Sequence, residues 1–389
     1  MRILFVSDVY FPRVNGVSTS IQTFAREFVA KRHQLTLIAP DYGQTDRDPF
    51  DIIRIPARRL PLDPEDRLLH ARSIRRLTPR LAGAGFDLIH IQTPFVAHYA
   101  GIQLARRLHL PVIESYHTFF EEYLDKYVSF LPSRLLRLAA RRLSRRQCNS
   151  VDALIVPSRP MLDVLQSYGV STPAAVIPTG IALDRFTRGN GVRFRRRHGI
   201  PPDRPTLVHV GRLAHEKNID FLLRVLARVK ARHPSVLLVV AGEGPARGSL
   251  EILAHRLQLG HNILFVGYLE RNGAVEDCYC AGDAFIFASR TETQGLVLLE
   301  AMALGVPVVS TAAMGTREVL REGRGCLIAG DDESDFADKV TRVLEDRRLR
   351  AVLSARAKRY AANWSAPLLA QDMLAFYDSV RRRGSITNR

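Results

Sequence analysis

Short runs of β-branched residues and leucine alternate with longer amphipathic stretches from one end of the chain to the other. The runs at 2–7, 35–39, 87–92, 111–115, 153–157 and 174–178 form one series, and those at 206–210, 236–241, 262–266, 283–288 and 306–311 form a second. Most intervals between them, such as 18–31 and 295–304, carry apolar residues or strong helix formers at helical spacing. Strand–helix alternation of this kind predicts parallel sheets with helices on both faces. Two series predict two doubly wound α/β domains, at 1–183 and 206–363. Residues 184–205 (DRFTRGNGVRFRRRHGIPPDRP) are rich in Gly, Pro and Arg without a clear hydrophobic period, which reads as a linker. Residues 364–389 read as a helical tail expected to pack back on the N-terminal domain. There is no short tandem repeat.

A chain of 389 residues is longer than one hydrophobic core usually serves, in keeping with two domains. An apolar fraction of 46% with 8% aromatics fits a globular protein and not a disordered one. The first apolar run gives way to Ser7 and Asp8, too early for a signal-peptide core. No stretch approaches the roughly 18 uninterrupted apolar residues of a spanning helix. Cys148, Cys278, Cys280 and Cys326 lack C-x-x-C spacing, so neither zinc nor a disulfide framework is favoured and a reducing cytoplasmic location is expected. Against 39 acidic residues stand 56 basic ones, a net charge of +17. Such an excess implies a polyanionic partner: a phosphorylated substrate, an anionic membrane or a nucleic acid. The chain has no helix-turn-helix, RNA-binding sheet motif or zinc module, which disfavours nucleic acid.

Candidate chemistry gathers where predicted strands end. After the first strand, Gly16 precedes an amphipathic helix, where a ligand can approach free backbone N–H groups closely. Ligands of open α/β sheets bind at this carboxyl edge. No G-x-G-x-x-G occurs, which disfavours a nicotinamide cofactor. Arg212 and Lys217 follow the strand at 206–210 and form a candidate diphosphate clamp, a bidentate fork with a compact charge. Ala241-Gly242-Glu243-Gly244-Pro245 is a second, glycine-rich turn at the same edge. His117 directly follows the strand at 111–115. Glu292 lies at a strand-to-helix junction, and Glu300 two helical turns further on. Asp46-Arg47-Asp48 resembles a metal-binding D-x-D but has no apolar strand before it, so no metal is expected.

In order, VGRLAHEKN, AGEGP, FVGYL, FASRTETQGLVLLEAMALGVPVV and GTREVL…GRGCLI resemble the retaining GT-B glycosyltransferases of glycosyltransferase family 4. The resemblance is strongest over residues 206–330, and the E-x7-E spacing of Glu292 and Glu300 is met without gaps. It implies two Rossmann-like domains facing a cleft, a nucleotide-sugar donor held mainly by the C-terminal one, and no cofactor. Arg212 and Lys217 would hold the donor diphosphate with the backbone of Thr293, Gln294, Gly295 and Leu296. Gly242 belongs to the same donor edge, and Gly16 would let the diphosphate approach the N-terminal domain. The base would be read near Gly267, Tyr268 and Leu269, the ribose by Glu300, and the sugar by Glu292 and His117. Developing charge on the departing diphosphate would be stabilised by Arg212, Lys217 and helix N-termini. The anomeric carbon would pass through an oxocarbenium-like state.

Many members carry an aromatic residue where this chain has Gln294. That variant, with Tyr116-His117-Thr118 and Glu121-Glu122-Tyr123, resembles the branch that glycosylates diacylglycerol and related lipids, which also contains mannosyltransferases and enzymes with soluble acceptors. A second feature bears on the acceptor. In 133–147, Leu135, Leu136, Ala139, Ala140 and Leu143 fall on one helical face, and Arg134, Arg137, Arg141, Arg142, Arg145 and Arg146 on the other, with Leu138 as an exception. A basic amphipathic helix of this kind can lie on an anionic membrane. Phe119, Phe120, Tyr123, Tyr127, Phe130 and Leu131 precede it. The expectation is a hexosyltransferase peripheral on the inner face of the cytoplasmic membrane, with a lipid acceptor. The alternatives are a soluble sugar or sugar phosphate, or a polyprenyl-linked glycan.

Overall fold

The structure, a computed structural model, describes residues 1–43, 47–59, 67–117 and 133–384. Asp46 and the aromatic residues between 118 and 132 therefore lie outside the described residues, as do Glu121 and Glu122. The chain divides into two units, Met1–Gly180 with Ala366–Arg389, and Ile181–Ser365.

The first unit is built on β1 (Arg2–Val6), β2 (Gln34–Pro40), β3 (Asp51–Ile55), β6 (Leu88–Ile91), β7 (Val112–Ser115), β8 (Ala153–Val156) and β9 (Ala174–Val176). Between β3 and β6, β4 (Ala57–Arg59) and β5 (Arg67–Leu69) form a separate antiparallel pair. The seven strands are parallel in the order β3-β2-β1-β6-β7-β8-β9. The second unit carries β10 (Thr206–Val210), β11 (Leu237–Ala241), β12 (Ile263–Gly267), β13 (Ala284–Phe287), β14 (Val308–Thr311) and β15 (Cys326–Ala329), ordered β12-β11-β10-β13-β14-β15. Its strands too are parallel. Ile3 to Val6 and Leu207 to His209 are almost wholly buried without alternation. Strands covered by helices on both faces need apolar residues on both.

Two packed faces follow in the second unit. On one, Phe221, Leu222 and Val225 of the helix Ile219–Arg232 meet Phe336 and Val340 of Glu333–Glu345. On the other, Tyr279, Phe285, Phe287, Leu298 and Met302 pack together. In each sheet the strand order reverses beside the first strand, at β1/β6 and β10/β13. Chain leaving these two neighbours runs in opposite directions, and the crevice so formed at the carboxyl edge is where such sheets take ligands.

The structure departs from the sequence expectation in two places. Strands β3 and β15 escape the hydrophobic pattern: DIIRI carries Asp51 and Arg54 in an edge strand that is only half buried, and CLIA follows glycine and arginine. Residues 184–205 are not a free linker but part of the second unit, with a 3-10 turn at Arg185–Thr187 and a helix at Gly191–Arg197. Their arginines have acidic partners on the helix Ala274–Cys280: Arg185 pairs with Glu276 at 2.9 Å and Arg193 with Asp277 at 2.6 Å. Phe186 and Phe194 are buried beside them. The boundary moves to Gly180/Ile181. The helix Ala366–Arg383 belongs to the first unit, where Tyr377 is fully buried and its hydroxyl is hydrogen-bonded to His90 Nδ1.

Candidate active site

In the second unit, loops from the ends of β10 to β14 lie against one another. Gly242 has φ +140°, and a Cβ there would fall 1.9 Å from the carbonyl oxygen of Gly211, so only glycine lets the loops after β10 and β11 touch. Gly315 makes the equivalent approach after β14: a Cβ would sit 1.9 Å from Thr293 O, and its N–H donates to Glu292 O at 2.9 Å. The loop after β11 is held in turn to the next strand, Gly242 N–H donating to Gly267 O at 2.8 Å. Tyr268 projects from that strand end and is 55% exposed, while Leu269 is half-buried.

The 3-10 turn His215–Lys217 is tied to the end of β13. Ser289 donates to Glu216 O at 2.9 Å, and the Asn218 amide donates to Ala288 O at 3.2 Å. Lys217 Nζ is thereby brought into an ion pair with Glu292 Oε1, with both side chains less than a quarter exposed. Arg212 lies half-buried in the same loop. Beyond Glu292, Thr293 is half-buried and Gln294 buried, and Gly295 enters the helix Leu296–Ala303 in the left-handed conformation with no side-chain cap. The uncapped first turn presents backbone N–H groups and the positive end of the helix dipole.

Glu300, two turns along that helix, is 2% exposed. The Tyr279 hydroxyl donates to its Oε2 at 2.8 Å and Arg271 to its Oε1 at 3.2 Å. Burial and the neighbouring carboxylate hold the Tyr279 phenol well above its ordinary value, so it remains a donor. The Glu300 charge raises the Arg271 guanidinium. The two glutamates thus have different surroundings: Glu292 shares a half-buried ion pair, and Glu300 sits in a buried triad that sequence reasoning did not reveal. No periodicity links Arg271, Tyr279 and Glu300. A missed residue with a visible signal is His209, a polar residue inside the apolar run of β10. It is fully buried, its Nδ1–H donates to Ile286 O at 3.1 Å, and burial pushes its imidazole down to about 4.

In the first unit, Gly16 is the first residue of the helix Gly16–Ala30, capped by Asn15, whose side chain accepts from Ser18 N at 2.8 Å. A Cβ at Gly16 would meet nothing within 4 Å, so internal packing does not require glycine there. His117 follows β7, its Nε2 is buried without a hydrogen-bond partner among the described residues, and burial pushes the imidazole down to about 4. It is a neutral imidazole near pH 7. Asp48, the described end of the D-x-D, accepts hydrogen bonds from Tyr10, Gln22 and Arg26, so its oxygens are engaged within the fold.

The basic helix Ser133–Cys148 differs from the sequence expectation in its buried stripe. Leu136, Ala140, Ser144, Gln147 and Cys148 face inward, at spacings of three or four residues. Leu135, Leu138 and Leu143 are 60%, 46% and 37% exposed and share the outer surface with Arg134, Arg137, Arg141, Arg142, Arg145 and Arg146. The anchoring stripe contains Ser144, whose hydroxyl is hydrogen-bonded to Tyr116 at 3.1 Å, and Gln147, which donates to Pro94 O at 2.7 Å. Polar residues can face inward there because partners await them, and this turns three leucines outward.

Residues 14–185 match Glycosyltransferase Family 4 and residues 192–360 match the glycosyl transferases group 1 family. The alpha-monoglucosyldiacylglycerol synthase of Streptococcus pneumoniae is 36% identical over 80% of this chain and 71% of its own length. The GDP-mannose-dependent alpha-mannosyltransferase of Mycobacterium tuberculosis is 28% identical over 98% of both chains. Among solved structures, the sucrose-phosphate synthase of Thermosynechococcus elongatus has a TM-score of 0.80 at 20% identity, covering 98% of this chain and 100% of that one. Anabaena HepE in complex with UDP-glucose has a TM-score of 0.77 at 18% identity over 97% and 100%. With two parallel α/β units in series, both family models matched and a relative 36% identical over 71% of its own length, the chain belongs to the GT-B glycosyltransferases of family 4 and is a glycosyltransferase.

Proposed function

We propose that this enzyme transfers a hexose from a nucleoside-diphosphate sugar to a membrane lipid such as diacylglycerol, with retention of anomeric configuration and without a metal ion. For the donor, support comes from the carboxyl edge of the second sheet: Arg212 and Lys217 on one loop, the uncapped helix start after Gly295, and Glu292 beside Lys217. Cations and aligned N–H groups suit a diphosphate whose charge grows as the glycosidic bond breaks. In the front-side route the acceptor oxygen bonds to the anomeric carbon as the bond to phosphate breaks, and the departing phosphate oxygen takes the acceptor's proton. Glu292 favours the positive anomeric centre electrostatically and is not a covalent nucleophile. A neutral His117, its Nε2 unpartnered among the described residues, suits a hydrogen bond to a sugar hydroxyl.

The acceptor reading is carried by the outer surface of the basic helix, where exposed leucines stand among six arginines. Each arginine near an anionic lipid surface contributes on the order of 1 kcal/mol, and the leucines add apolar burial. Relatives from Streptococcus pneumoniae and Acholeplasma laidlawii carry the name alpha-monoglucosyldiacylglycerol synthase, which supports the same reading. End-to-end alignment with a GDP-mannose-dependent enzyme favours mannose as the second donor to test. Sedimentation with anionic vesicles tests the acceptor surface. The wild type should sediment, and a variant with Arg134, Arg142 and Arg146 changed to glutamine should lose most of that binding while remaining folded. Transfer from UDP-glucose or GDP-mannose to vesicle-borne diacylglycerol is the activity to follow. Absence of vesicle binding, with transfer only to a soluble sugar, would overturn the lipid assignment.

A further inference from the structure

His209 combines three observations that packing alone does not explain. Its ring is fully buried in β10, the strand flanked by β11 and β13 at the point where the sheet order reverses. Donation of Nδ1–H to Ile286 O fixes the tautomer and leaves Nε2 as a bare acceptor. Among the described residues that Nε2 is buried without a hydrogen-bond partner. Beyond Gly211 and its chain neighbours, Nε2 is the one atom among the described residues within 4 Å of the place a Cβ on Gly211 would occupy, at 3.5 Å. The imidazole therefore ends under the first residue of the loop that carries Arg212 and Lys217. The charged groups that reach it are Lys217, from the 3-10 turn, and Glu292, from the loop after β13. An apolar residue would fill this place with no orphaned nitrogen.

We propose that His209 takes up a proton from solvent when a nucleoside diphosphate occupies the Gly211–Lys217 loop, and so acts as a positioning cation beneath Arg212 and Lys217. This rests on the donor-site reading above. In the free enzyme burial, aided by Lys217, keeps the ring neutral, with the Ile286 carbonyl and Glu292 opposing in part. Arrival of two or three phosphate charges over Gly211 reverses the local field, and at distances of a few ångströms in a half-buried site that suffices to favour the protonated ring. The free site then avoids a buried, unpaired charge, and the extra cation exists only while the ligand is there.

The experiment is calorimetric titration of the whole enzyme with UDP, and in parallel GDP, in two buffers of different ionisation heat. Wild type, His209→Gln and Lys217→Ala are compared. At pH 6.5 the wild type should bind roughly 0.3–1 proton more per nucleotide than His209→Gln. Its affinity should also tighten about three- to tenfold more between pH 8 and pH 6. Histidine-selective NMR of the wild type gives the same answer without a variant, because the His209 Nε2 signal should move from the neutral to the protonated range on adding nucleotide. Equal proton uptake in wild type and His209→Gln, with a ring that stays neutral while Lys217→Ala weakens binding, overturns the proposal and leaves the donor site standing. If neither nucleotide binds, or binding ignores Lys217→Ala, the donor-site reading fails and the proposal with it.

Discussion

Changing Tyr279 to phenylalanine isolates one hydrogen bond whose worth the structure allows to be worked out. Tyr279 is fully buried and donates at 2.8 Å to Glu300, itself 2% exposed. Phenylalanine keeps the ring and its contact with Phe285 at 5.4 Å, so hydrophobic burial is little changed. What is lost is a bond to a buried carboxylate, which then keeps Arg271 as its remaining side-chain donor among the described residues. Hydrogen bonds to charged groups are worth about 1.5–3 kcal/mol, and leaving the acceptor short inside the fold charges that full amount. For a unit of this size each kcal/mol moves the melting temperature by about 2–4 °C, so a drop of roughly 3–12 °C is expected. Two units can melt in two transitions. The relevant one is that which a saturating nucleotide raises. Tyr268→Phe, at an exposed position nearby, serves as the control and should shift it by less than about 0.5 kcal/mol. A Tyr279→Phe shift as small as the control's would refute the view that Glu300 depends on this donor.

Two further outcomes follow from the same geometry. Lys217→Ala and Arg212→Ala should each lower kcat about a hundredfold or more with little change in melting temperature, read from single-substrate kinetics and calorimetry; retention of near-normal turnover by both would remove them from the donor site. Stability should also fall in acid. His117 and His209 are each depressed to about 4, below the usual unfolded value near 6.5, so the folded protein disfavours their protonation. Their contribution is fully present above pH 6.5 and is lost as pH falls towards 4, up to about 3 kcal/mol for each. Urea midpoints measured from pH 7 to pH 4 should show it, and His209→Phe should flatten the decline in the second unit. An equally steep decline in that variant would contradict the assignment.

Much of the fold was legible because buried parallel strands carry unbroken apolar runs. β10 emerges at its expected residues, and the others of both series within one or two. β3 was not, because an edge strand half in water tolerates Asp51 and Arg54. The segment at 184–205 misled for a related reason: arginine and glycine look solvated until Glu276 and Asp277 are found opposite them. At the site, the strand-end loops that carry Arg212, Lys217 and Glu292 could be read, because each follows an apolar run. The Tyr279–Glu300–Arg271 triad could not, since it joins a strand-end loop and two helices. On the basic helix the arginines were placed correctly by period. The buried stripe was not, because Ser144 and Gln147 point inward toward partners 28 and 53 residues away.

The return of the helix Ala366–Arg383 to the first unit has a consequence for biosynthesis. One unit is a continuous stretch of chain, while the other is split around it. As the ribosome delivers the chain, strands β10 to β15 can emerge and pair while the earlier unit still lacks its last helix. Until Tyr377 is translated, His90 has no hydroxyl at Nδ1, and the apolar surface meant for Met373 and Leu374 stays uncovered. The half made first is therefore the half finished last, and a chain cut short before Ala366 would expose that surface to chaperones and proteases even though every residue of the second unit had been made.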